Sequence, residues 1–83
     1  MMVGSQFSNR VYNLEHVSSV VIEAGLMPRI RLIYPGDIPP VTVAAYRTLE
    51  KAQGAMAALC RAMDGGKGFF LFPPDDGEGG EGP

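Results

Sequence analysis

The chain holds one cysteine and one histidine in 83 residues. A single cysteine excludes an internal disulfide, and a reducing cytoplasm is the expected compartment. One histidine and one thiol are too few for a metal site built in this chain. The sequence also lacks paired helical histidines, a phosphate-cradling glycine loop and a nucleophile elbow. These absences point away from an enzyme and from a bound cofactor. The segment Met1–Gln6 has neither a basic n-region nor an apolar h-region, so a signal peptide is not expected. Apolar runs fall well short of bilayer length, and a membrane span is not expected either.

Charge is also scarce. The formal net charge of −2 divides unevenly along the chain. Asp75, Asp76, Glu78 and Glu81 lie in the last eleven residues, which contain no hydrophobic side chain. That stretch, residues 73–83, reads as a disordered acidic tail with nothing to bury, and its acids as ordinary solvated carboxylates. Residues 1–72 carry seven basic and five acidic groups and form the expected single small domain. Its mild basic surplus is too small to argue for nucleic acid by itself.

What is present is one strong helix signal and several short strand signals. Leu49, Ala52, Met56, Leu59 and Met63 recur every three or four residues, which places them on one helix face. Thr48 is suited to the N-cap, and Gly65–Gly66 to the stop. Cys60 and Ala55 widen the apolar face, so Cys60 is expected as a small buried hydrophobe. Gly54 and Ala58 share the opposite side, and a helical glycine there suggests close approach of another backbone.

Alternating patterns predict strands over 7–12, 17–24, 29–34 and 41–46. The first five residues read as a frayed start. Asn13 is placed to cap a single helical turn, in which His16 serves as a packing residue rather than a ligand. Pro35-Gly36 fits the centre of a type II turn. The run Phe69-Phe70-Leu71-Phe72 reads as a final strand or a packing segment. The expected fold is α+β: an antiparallel meander of about four strands, packed by one C-terminal helix.

The segments VYNLEHVSSVVIEA and RIRLIYPG, followed by a strand and a helix opening TLEKA, resemble the FlbD family of flagellar proteins among small bacterial and phage proteins. The resemblance implies this strand order and an accessory or regulatory role. It transfers no functional residue. Here the hairpin loop is longer, and the phenylalanine-rich end is an addition.

Two functional readings follow. The first is a protein–protein interaction domain acting as a homodimer, with Phe69, Phe70, Leu71 and Phe72 as the contact and Gly54 and Ala58 as a second close-packing line. The second is a single-stranded nucleic-acid-binding protein that uses Arg10, Arg29 and Arg31 with Tyr12 as a stacking ring. Open sheet edges and a small core favour the first.

Overall fold

A computed structural model describes residues 1–75. The α+β class holds, but six strands lie in two sheets rather than about four in one. In chain order these are β1 (Met2–Gly4), β2 (Val11–Asn13), β3 (Ser19–Glu23), β4 (Arg29–Ile33), β5 (Val41–Ala45), the helix α1 (Leu49–Asp64) and β6 (Phe69–Leu71). One sheet has the order β2-β1-β6 and the other β3-β4-β5. The second is the expected antiparallel meander. The first was not foreseen. Its central strand is the supposed frayed start, paired antiparallel to β2 and parallel to β6. Val3 in β1 is fully buried, which is what holds the N-terminus in place.

The predicted strand over 7–12 shrinks to Val11–Asn13. The reason is local hydrogen bonding. The Ser5 hydroxyl accepts from the Phe7 amide at 2.9 Å, and the Ser8 hydroxyl from the Arg10 amide at 3.2 Å. Such side-chain turns compete with a strand ladder. Asn13 caps a 3₁₀ turn over Leu14–His16 as expected, accepting from the Glu15 amide. Gly36 has φ of +80°, as the second central residue of a type II turn requires.

Strict alternation fails in β5. Ile30 pairs with Ala44 and Arg31 with Thr42, leaving Val43 as the extra residue of a bulge. Val43 and Ala44 are both buried, although they were expected on opposite faces. The carbonyl of Val43 instead accepts from the Gln6 amide at 2.8 Å, so the chain leaving β1 seals part of the β5 edge and ties the two sheets together.

Helix α1 closes the core. Thr48 Oγ1 accepts from the Lys51 amide at 3.1 Å. At the other end Lys67 donates to the Ala62 carbonyl and Gly66 to that of Met63, a Schellman stop in which Gly66 supplies the positive φ of +74°. The buried stripe is Ala52, Ala55 and Leu59, rotated from the predicted one. Leu49 and Met63 overhang the core and are exposed. The same rotation puts Cys60 in solvent, which corrects its expected burial. The stripe packs in one cluster with Val3, Ile30, Leu32 and Phe72.

Candidate protein–protein interface

The four residues Phe69–Phe72 do not act as one block. As a strand, β6 sends them alternately to two faces. Phe72 is buried and Phe70 packs against the core, with their rings 5.2 Å apart and nearly perpendicular. Edge-to-face pairing of this kind adds to the burial term. Phe70 and Phe72 are therefore structural, which corrects their place in the predicted contact. Phe69 and Leu71 point outward and are 51% and 58% exposed.

What lies beside these two makes the surface. In register, Gly4 sits between Val11 on β2 and Leu71 on β6, and Met2 between Asn13 and Phe69. A Cβ on Gly4 would stand 2.8 Å from Leu71 Cδ1 and 3.2 Å from Phe69 Cζ. The two side chains thus lie over the bare backbone of Gly4, on the face opposite Val3. Met2 and Val11 are exposed on the same side. The outer face of this sheet carries Met2, Val11, Phe69 and Leu71, with the polar Asn13 beside Met2. Next to it runs a groove of about 370 Å³, walled by the Gln6–Arg10 loop on one side and by Phe69 and Leu71 on the other. A second hollow of about 410 Å³ continues from Leu71 past Phe7 to Pro74 and Asp75.

Gln6 sets the geometry of this end. Its Oε1 accepts from the Ala45 amide at 2.9 Å and its Nε2 donates to the Pro73 carbonyl at 2.6 Å. The Tyr46 hydroxyl donates to the same carbonyl at 2.7 Å. Desolvation, with the nearby Asp75 charge, pushes the Tyr46 phenol up to about 12, while a hydrogen bond from Gln6 works the other way. Asp75 was expected as a free tail acid. Its carboxylate accepts from the Arg47 amide at 2.7 Å and pairs with Lys51 Nζ at 3.3 Å, beside the N-terminus of α1, where a negative charge is favoured. Pro73–Asp75 are therefore docked on the domain. The rest of the predicted tail, residues 76–83, lies outside the described residues.

The other predicted residues are dispersed. Gly54 is exposed, and a Cβ there would meet nothing within 4 Å among the described residues. Ala58 is half-buried. Arg29 and Arg31 lie on β4, and both bind Glu23 of β3, Arg31 at 3.1 Å. Desolvation raises the Glu23 carboxyl, but the charges and hydrogen bonds of Arg31 and Arg29 outweigh it and hold the group below its usual range. Tyr12 is half-buried against the core in the other sheet, and Arg10 precedes it in the loop. The structure does not gather these four on one sheet. No helix among the described residues is long and apolar enough to cross a membrane.

No family model, curated protein or solved structure matches the chain.

Proposed function

We propose that the chain is a non-enzymatic protein–protein interaction domain that works as a homo-oligomer, in an accessory or regulatory role, with the outer face of the β2-β1-β6 sheet as its contact. One observation carries this reading: Phe69 and Leu71, more than half exposed, lie over Gly4 beside Met2 and Val11 on the outer face of the sheet, with the Gln6–Arg10 loop walling one side. Covering such a patch is favourable by about 25 cal/mol per Å² of apolar surface removed from water. The residues beyond Asp75, DGEGGEGP, have no apolar side chain with which to cover it. Against the nucleic-acid reading stands Glu23, whose carboxylate already occupies both arginines where a phosphate would bind.

The test is sedimentation velocity of the wild type beside Phe69→Ser/Leu71→Ser. The wild type should sediment as more than the 8.9 kDa monomer. The variant should be a folded monomer, because both side chains are on the outer face. A variant with the assembly state of the wild type would sink this reading.

A further inference from the structure

The two edges of the β3-β4-β5 sheet are treated differently by the chain. At the β5 edge, the Val43 carbonyl accepts from the Gln6 amide and the Ala45 amide donates to Gln6 Oε1. At the β3 edge, no backbone group outside the β3–β4 ladder bonds to Ser19–Glu23 among the described residues. On an outer strand every second residue turns its N–H and C=O away from the sheet. That row is a template for another strand unless something blunts it.

The usual protections are missing from β3. Val17 to Ile22 contains no proline, glycine or charged residue. The register with β4 runs from Ser19 to Glu23 without a bulge. The one charge, Glu23, is drawn toward Arg29 and Arg31 on β4. At five residues β3 is also longer than the outer strands of the other sheet, β2 and β6, which have three each. Very short edges are protected by their length.

The core, moreover, reaches this edge partly uncovered. Val20 and Ile22 share the inner face with their fully buried partners Leu32 and Ile30. With Val17 they pack on the core cluster, yet each stays half-buried. On the outer face Val21 is exposed beside Arg31. The backbone row calls for an extended segment free of proline where it meets β3. The inner row calls for apolar residues opposite Val20 and Ile22, and the solvent-facing row for uncharged, β-branched ones such as threonine between them.

We infer that the β3 edge is a strand-addition site, which takes an extended, alternately apolar segment of a different protein as a fourth strand of this sheet. Main-chain hydrogen bonds supply the affinity, and the half-buried Val20 and Ile22 select the alternation. The occupant is another chain rather than a copy of this one. The association reading already gives each chain a self-contact on the other sheet, and a second self-contact would let copies add beyond it. The choice of partner rests on that reading; the open edge does not.

The test is NMR of the isotope-labelled full chain titrated with the end-capped peptide KTVTVTVTK, beside KTVTPTVTK, which has the same charge and a central proline. The first peptide should shift the amides of Val17–Glu23 and of β4, saturating at about 1 mM or below. It should slow hydrogen exchange at alternate β3 amides by about tenfold or more. The proline peptide should do neither. The same response is expected in Phe69→Ser/Leu71→Ser, since that pair lies in the other sheet. No shifts up to about 1 mM, shifts centred on β2 or β6, or an equal response to the proline peptide overturns the inference. Protection of β3 amides that is present without peptide and lost on dilution places a second copy on the edge and overturns the choice of partner. A monomeric wild type in sedimentation, with the peptide response intact, removes the β2-β1-β6 contact and leaves the β3 site standing.

Discussion

Gln6 joins three separate parts of the chain through one side chain. It ties the loop after β1 to the β5 edge and to the backbone of Pro73. Gln6→Ala would leave the Ala45 amide and the Pro73 carbonyl each one partner short. A loss of about 1–3 kcal/mol in urea unfolding is expected, the cost of stranding such groups; a loss within error would show that water replaces the amide. Tyr46 reports on the same junction. Because its folded value is raised from the ordinary 10.0 to about 12, the neutral phenol stabilises the fold fully below pH 10, and that contribution is lost as pH rises toward 12. Spectrophotometric titration, with Tyr46→Phe to assign the signal, should show Tyr46 ionising about two pH units later in the folded than in the unfolded protein. A Tyr46 signal at the same pH in both states would rule out the buried, Pro73-bonded hydroxyl.

At the scale of elements, α1 and β6 invite opposite substitutions. Gly54 lies in the exposed middle of α1 with open space at its missing Cβ. Gly54→Ala should raise stability by about 0.5–1 kcal/mol, the propensity difference, without altering assembly. A drop in assembly would show that another chain approaches the helix there. In β6, Phe72→Ala removes a buried ring and should cost about 3–5 kcal/mol, enough to unfold much of so small a domain. Phe69→Ala should change the melting temperature little. Thermal melts of the pair distinguish an alternating strand from a uniformly packed segment, for which both losses would be alike.

The helix, its caps and the β3-β4-β5 meander were legible in the sequence because their signals are local: a 3.6-residue period, a threonine before it, glycines after it, and strands joined through short connections. β1 was not. Three residues carry little periodicity, and one partner of Met2, Phe69, lies at the far end of the chain. The docking of Asp75 was hidden for the same reason, since Gln6 is 67 residues from Pro73. The contact surface was half legible. The run Phe69–Phe72 marks it, but only pairing with β1 decides that Phe69 and Leu71 face out while Phe70 and Phe72 face in. The rotation of the helix stripe that exposes Cys60 likewise depends on how α1 meets β4, which α1's own sequence does not encode.

Over its described residues the molecule is a small two-sheet domain, with one core cluster and exposed apolar side chains on the outer face of the β2-β1-β6 sheet. The most direct measurement is an isotope-filtered NMR experiment on a mixture of labelled and unlabelled chain, which detects contacts between copies only. Intermolecular contacts should link the Leu71 methyls and the Phe69 ring to Met2, Val11 or Leu71 of the other copy. Contacts arising only elsewhere, for example at Leu26 or along the Gly54 side of α1, or none at concentrations where the chain is folded, would contradict the account.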